Sequence, residues 1–431
     1  SYVVKCAQAF RAHVLDLFEP QDYPNDFAYP GAPPTPPYDS AGWTLAYQMG
    51  IRFDRILDSS LEAARVGSFE EIQGPLPPPP GQVTAGEKAA GFFLETNMND
   101  AFHAVNRLLK AGVEVRRLQQ PFVAHGEKYA AGTFFIPSKG RVRAQLEKIA
   151  AELGTPFRGS LVAPGKEAAT LKPVRVGLWD RYGGSMPSGW TRWLLERFEF
   201  PFQVVFPPEL DRGNLREKFD VIILVDGAIT PPGGKKVGVG GAIDEQSIPE
   251  EYRGRAGNIT REKTVPRLRE FLDNGGTILT IGSSTDLARQ LGLPVANHLV
   301  TTKDGVAKPL PREQYYVPGS VLRVRVDPSH PLAWGLGDEV DVLFANSPTF
   351  RLADNAGPNE LRRVAWFDSK TPLRSGWAWG QEHLQGGVAI AEASVGKGRL
   401  VLFGPQVLFR AQPHGTFRFV FNGIVQAGAK Q

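Results

Sequence analysis

Asn274-Gly275-Gly276-Thr277-Ile278-Leu279-Thr280-Ile281-Gly282-Ser283-Ser284-Thr285 reads as a buried strand, a sharp Gly-Ser turn and the entry to a helix over 286–291. Thr277 to Ile281 is a short apolar run rich in β-branched side chains, as a strand covered on both faces requires. A strand that feeds a helix through a tight turn is where doubly wound α/β folds present reactive groups. This turn offers two hydroxyls, Ser283 and Ser284, and no thiol.

Strand and helix alternate on either side of that stretch. Upstream, strands are expected over 174–179, 202–206 and 219–225, with helices over 190–198 and 265–274. Downstream, strands are expected over 322–326, 343–345 and 363–367. A hairpin of 388–392 and 398–403 turns at Gly396-Lys397-Gly398, and a final helix covers 416–427. The alternation predicts α/β architecture over 171–431, a flavodoxin-like, doubly wound parallel sheet with helices on both faces.

Residues 1–170 form a second α/β region joined through a linker at 164–172. The segment 1–18 aligns without gaps on 133–150: Ser1 on Thr133, Tyr2 on Phe134, Val4 on Ile136, Phe10 on Val142, Arg11 on Arg143, Ala12 on Ala144 and Val14 on Leu146. Each copy pairs a strand with a helix, which marks an internal repeat. The second copy has a front half that the first lacks. It comprises a strand over 90–95, a helix over 101–111 capped by Asn99 or Asp100 and ended by Gly112, a strand over 113–115, and a hairpin through His125-Gly126-Glu127. The chain is therefore expected to begin mid-repeat, as a fragment of a longer polypeptide; a shortened natural start is the alternative. Between the copies, Asp39 or Ser40 is expected to cap a short helix bearing Trp43, Leu45, Ala46 and Met49.

With 431 residues, 42% of them hydrophobic, two or three domains can each bury a core. The net charge of +4 is small and its carriers are scattered, which argues against a nucleic-acid partner. No apolar run is long enough to span a bilayer. A single cysteine, Cys6, excludes an internal disulfide and a cysteine-based metal cluster. Many of the prolines gather at 20–37 and 74–81, stretches expected to run as extended surface ribbon.

Four groups of residues can carry chemistry. Ser284, or Ser283, is a nucleophile if an imidazole lies within reach; His298, His330, His383 and His414 are the candidates. The preferred expectation for both serines is that they hydrogen-bond the N-terminus of the following helix, where serine is a favoured cap. The loop Tyr182-Gly183-Gly184-Ser185 follows the first strand of the sheet and can turn main-chain N–H groups toward an anion, although it matches neither dinucleotide nor Walker spacing. Arg410, Gln412 and His414 crowd a loop before the last helix, at the rim expected for a ligand cleft. The zinc spacings H-E-x-x-H and H-x-x-E are absent, so no metal ligand is assigned.

Several motifs together carry a resemblance. They are Ala7-Gln8-Ala9-Phe10-Arg11, Phe18-Glu19-Pro20-Gln21, Pro37-Tyr38-Asp39, Gly42-Trp43-Thr44-Leu45 and Gln48-Met49-Gly50, then Ala104-Val105-Asn106-Arg107-Leu108-Leu109, Gly189-Trp190-Thr191-Arg192-Trp193 and Phe409-Arg410-Ala411-Gln412-Pro413. The chain resembles the portion that follows the catalytic domain in large bacterial zinc carboxypeptidase-like proteins, which close on a class I glutamine amidotransferase-like domain. The resemblance implies that zinc belongs only to an N-terminal peptidase domain of the same polypeptide, that this domain is the chain's partner, and that the setting is periplasmic or secreted. It also implies that Ser284 or Ser283 stands where active amidotransferases carry the nucleophilic cysteine. The expected function is non-catalytic: an accessory, substrate-positioning portion of the peptidase. The alternatives are a Ser284-dependent hydrolase, and a module binding a small molecule or peptide between the Tyr182–Ser185 and Arg410–His414 loops.

Overall fold

The structure, a computed structural model, describes residues 2–57, 70–76, 79–84, 88–229, 248–303, 305–353 and 361–429. Two short helices come first, α1 (Arg11–Phe18) and α2 (Leu45–Met49). A six-stranded sheet follows. Its strands are β1 (Val83–Thr84), β2 (Gly91–Leu94), β3 (Arg116–Leu118), the hairpin-flanked β6 (Phe134–Pro137), β7 (Phe157–Ser160) and β8 (Ala168–Thr170), in the order β1-β7-β2-β6-β3-β8. The hairpin itself, β4 (Phe122–Ala124) and β5 (Glu127–Tyr129), turns at His125-Gly126 as expected. Two helices belong to this unit, α3 (Asp100–Lys110) and α4 (Val142–Leu153). In α3, Phe102, Val105 and Leu108 recur at helical spacing and are buried, while Asp100 in the first turn and Lys110 in the last complement the helix dipole. Phe102 lies edge-on to Phe134 with ring centroids 5.6 Å apart.

Four expectations shift here. Residues 2–5 form no strand: Tyr2, Val3 and Val4 are exposed, with no sheet edge to pair with, so the first copy of the repeat keeps only its helix. The strand expected at 113–115 forms at Arg116–Leu118, because that register buries Arg117 and Leu118 between β6 and β8. The expected linker at 164–172 contributes β8, which pairs antiparallel with β3. The short helix before Gly50 starts after Thr44; Asp39 instead accepts the N–H of Ser40 at 2.8 Å.

The second sheet opens with β9 (Val176–Trp179), α5 (Met186–Arg197) and β10 (Phe202–Val205). Next come α6 (Pro207–Asp211), α7 (Leu215–Lys218), β11 (Val221–Leu224), α8 (Thr264–Asp273) and β12 (Thr277–Ile281). A 3-10 turn over Gly282–Asp286 leads into α9 (Leu287–Gln290). The remaining strands are β13 (Val295–Asn297), β14 (Val300–Lys303), β15 (Val306–Pro309), β16 (Ser320–Val326), β17 (Glu339–Phe344), β18 (Phe350–Leu352), β19 (Leu361–Trp366), β20 (Leu373–Ser375), β21 (Val388–Val395) and β22 (Gly398–Phe403), and α10 (Phe417–Ala427) closes the chain. Strands β10-β9-β11-β12-β22 are mutually parallel. Counted along the chain within this sheet, their order is 2-1-3-4-5, the flavodoxin-like arrangement. Right-handed crossovers then place α5 on one face and α6 to α8 on the other. Phe198 and Phe421 in contact at 4.9 Å bring α10 to the side of α5. The sheet does not stop at β22. An antiparallel run, β21-β19-β16-β17, extends it beyond the doubly wound pattern. Every residue of β12 is buried, with Leu279 flanked by Ile223 and Val401.

One hydrophobic core runs through both sheets. Arg117 and His330 are buried ionisable groups within it. Arg117 joins the units, over the Trp334 ring at 4.8 Å and bonded to Asn422 of α10. His330 accepts the Leu332 N–H on Nδ1 at 3.2 Å, which puts the proton of the neutral ring on Nε2. That nitrogen has no hydrogen-bond partner; Glu392 Oε1 is 3.7 Å away, too far to accept. Burial, with the charges of Arg362 and Arg399 adding to it and Asp327 opposing, pushes the His330 pKa down to about 4. An unfolded histidine titrates near 6.5, so between those values the unfolded chain binds a proton that the fold rejects. Stability from this group is complete above pH 6.5 and is lost as pH falls through 4, by about 3 kcal/mol in all. Glu392, raised by burial, titrates in the opposite sense, so the clean readout is a difference. A His330→Asn variant should show a flatter loss of stability between pH 6.5 and 4 than the parent in urea titrations. Parallel curves would contradict the neutral imidazole.

Candidate functional site

The turn after β12 is closed by its own serines. Gly282 has φ +57, a left-handed conformation, and a Cβ there would sit 2.6 Å from Asp226 Oδ1 and 2.8 Å from Gln406 Nε2. Ser283 donates both its N–H (2.8 Å) and its hydroxyl (2.6 Å) to Asp226 Oδ1, and its Oγ accepts the Gly227 N–H at 2.9 Å. Gln406 Nε2 donates to Asp226 Oδ2 at 3.0 Å. Ser284 is fully buried; its hydroxyl donates to the Val225 carbonyl at 2.6 Å and accepts the Ile229 N–H at 3.1 Å. Both side chains therefore tie the turn to the end of β11. Neither caps the helix that follows.

The four histidines weighed for this turn are engaged elsewhere. His298 Nε2 lies 3.2 Å from the Gln385 carbonyl, and His330 is the buried ring described above. His383 lines a cavity of about 520 Å³ among the loops around 313–314 and 377–383. His414 packs on Phe417 at 4.8 Å, and its carbonyl accepts Asn99 Nδ2 at 2.9 Å, beside the start of α3. Burial pushes the His414 pKa down, with Asp100 opposing.

A cavity of about 350 Å³ opens at the carboxyl ends of the parallel strands. Trp179 ends β9, Val225, Asp226 and Gly227 follow β11, Ile281 ends β12, and Gln406 follows β22; all of them line it. Met186 and Trp190 of α5 form one wall, Phe409 and Arg410 another. Strand order reverses at β9, between its neighbours β10 and β11, so this is the crevice where open α/β sheets bind ligands.

The residues expected to bind a ligand part company here. Ser185 and Arg410 line the cavity. Tyr182 instead approaches Tyr252, with ring centroids 6.5 Å apart, and Gly183 and Gly184 make an exposed turn whose Gly184 carbonyl accepts Arg181 Nε at 2.9 Å. Helix α5 begins at Met186, four residues before the expected start, because Pro187 suits the first helical turn. The Gly-rich loop is shorter as a result, and Ser185 becomes the residue preceding the helix. Gln412 buries an unpartnered Oε1. Trp179, Trp190, Asp226 and Gln406 were not singled out from the sequence as site residues. The usable signal was position: Trp179 and Asp226 each stand at the carboxyl end of an apolar run.

Among the described residues, no group of three or more His, Cys, Asp or Glu side chains is placed to hold a metal ion, and no helix is long and apolar enough to cross a membrane. No protein-family model and no curated protein sequence matches the chain. Solved structures similar to it include the following three. One, from Thermoplasma acidophilum, is described as a GMP synthase subunit; identity is 13%, 59% of this chain and 94% of that chain are covered, and the TM-score is 0.33. The PurLQS structure from Thermotoga maritima has 11% identity, covers 58% and 98%, and has a TM-score of 0.34. A glutamine amidotransferase from Thermotoga maritima has 13% identity, covers 59% and 96%, and has a TM-score of 0.31. The flavodoxin-like fold itself rests on the order and direction of β10-β9-β11-β12-β22.

Proposed function

We propose that this chain is a non-catalytic accessory portion of a zinc carboxypeptidase-like protein, in which an amidotransferase-like domain positions substrate for a peptidase domain earlier in the same polypeptide. Zinc is assigned to that N-terminal domain, and the periplasm or the extracellular space is the setting. The supporting observation is Ser284: a fully buried hydroxyl that spends its proton on the Val225 carbonyl and accepts the Ile229 N–H. A serine nucleophile needs a base on its proton and a free approach to the substrate. Turning Ser284 outward would strand the buried Ile229 N–H, at a cost of about 1–3 kcal/mol, while the Val225 carbonyl keeps the Ala228 N–H.

Two measurements test this reading. This chain should hydrolyse neither glutamine nor ester and amide probes, and Ser284→Ala should leave that baseline unchanged while lowering stability by about 1–2 kcal/mol. In the polypeptide that includes the peptidase domain, deleting 171–431 should raise KM for peptides with little effect on kcat. Turnover by this chain alone that disappears in Ser284→Ala would reverse the assignment in favour of a hydrolase.

A further inference from the structure

We infer that the crevice at the carboxyl ends of β9, β11 and β12 binds the carboxylate-bearing end of an apolar residue, as a free aromatic amino acid or as the last residue of a peptide. The inference is independent of the accessory role proposed above, since it concerns only groups in this chain.

Three observations carry it. First, Trp179 lines the cavity, is 4% exposed, and has a buried indole N–H with no acceptor among the described residues. Buried donors are nearly always paired, so an orphan on a cavity wall points to an acceptor supplied from outside. Second, the Arg410 guanidinium makes no hydrogen bond or ion pair among the described residues. It lies over the rings of Phe409 (5.0 Å) and Trp43 (5.4 Å). Its main chain is left-handed (φ 47), as is that of Ala411 (φ 52). Two successive non-glycine residues in that region are strained, and such strain concentrates where side chains must be aimed. Third, large apolar side chains that would ordinarily be covered stand open on the rim: Met186 is 57% exposed and Trp190 is 38% exposed.

These groups select among ligand classes. A guanidinium and an indole N–H from residues that line one crevice match a carboxylate, which accepts from both. Gln406 gives its Nε2 to Asp226, which leaves the amide oxygen as acceptor for an amino or amide N–H. Met186, Trp190, Ile281 and Phe409 suit an aromatic side chain, and about 350 Å³ holds one such residue. A phosphate fits poorly. The start of α5 carries Pro187, which has no N–H, and the Asp180 carboxylate already accepts the N–H of Arg181.

The test uses this chain and three probes, N-acetylphenylalanine, phenylalanine and phenylalaninamide, followed by calorimetry and by quenching of tryptophan fluorescence. The two carboxylates should bind and the amide should bind roughly tenfold or more weakly. Arg410→Gln should erase that preference by weakening the carboxylates alone, whereas Trp190→Ala should weaken all three. Circular dichroism establishes that each variant is folded; if Arg410→Gln does not fold, Arg410→Lys, which keeps the charge and loses the fork, should reduce the preference partway. Tighter binding of N-acetylphenylalanine than of phenylalanine identifies a peptide end, and the reverse order a free amino acid. Equal affinity for acid and amide, a preference that survives Arg410→Gln, or no binding of any probe at millimolar concentration would overturn the inference.

Discussion

Arg117→Ala is expected to destabilise the protein by about 3–5 kcal/mol, from the cavity left by a large buried side chain and the hydrogen-bond acceptors it would strand. Arg117 is 0% exposed. Its Nε donates to the Gly132 carbonyl at 3.3 Å, its Nη2 donates to Asn422 Oδ1, and its guanidinium lies over Trp334 and Phe134 at 4.8 and 5.5 Å. Asn422 in turn donates at 2.9 Å to the carbonyls of Leu332 and Trp334. Alanine would leave Gly132 and Asn422 without their donor and open a cavity between the six-stranded sheet and α10. Among the described residues no carboxylate bonds the guanidinium, and burial, with the charge of Arg399 adding to it, holds its pKa down to about 9. Desolvation is therefore the dominant electrostatic fact at this site. It follows that Arg117→Met, which fills much of the space and removes the charge, should lose markedly less than Arg117→Ala. Urea midpoints for the two variants decide the matter. Equal losses would mean that the lost hydrogen bonds decide the cost and that the volume methionine refills adds nothing.

Gly282→Ala should cost about 3 kcal/mol, from two separable sources. A left-handed φ of +57 penalises any Cβ by about 1–2 kcal/mol. The new methyl would also arrive 2.6 Å from Asp226 Oδ1 and 2.8 Å from Gln406 Nε2, and forcing these groups apart adds about 1–3 kcal/mol. Asp226 holds the turn through Ser283, so the displacement reaches both hydroxyl contacts. Gly183→Ala is the control: its φ is +82, but nothing lies within 4 Å of the added Cβ. It should show the backbone penalty alone. If both variants shift the denaturant midpoint equally, the packing of Asp226 and Gln406 around the turn contributes nothing.

The strands at the heart of the sheet were legible because their burial is nearly complete. The runs at Val221–Leu224 and Thr277–Ile281 are apolar or β-branched throughout, and a strand covered on both faces has no other way to read. The same logic failed at 113–118. Val113 and Val115 looked like the strand, yet Arg116–Leu118 forms it, because the arginine finds an aromatic ring and an asparagine far along the chain. At residues 2–5 a strand-like pattern found no partner strand among the described residues and formed no strand. A strand is completed by its partners, and periodicity does not record whether they exist.

The candidate site divides in the same way. Sequence alone located the turn at Gly282-Ser283-Ser284, placed it after a buried strand of an alternating α/β region, and showed that it carries two hydroxyls and no thiol. It also marked Ser185 and Arg410, both on the crevice wall. Only the tertiary structure decided what the hydroxyls do, since their partners, Val225, Asp226 and Gly227, lie on the neighbouring strand end. It likewise set Trp179 and Gln406 beside Arg410 and carried His414 away to α3. The physical reason is one of range. Main-chain conformation is governed by sterics and side-chain pattern within a few residues. The protonation, orientation and accessibility of a functional group are governed by whichever atoms packing brings within a few ångströms, and those come from anywhere in the chain.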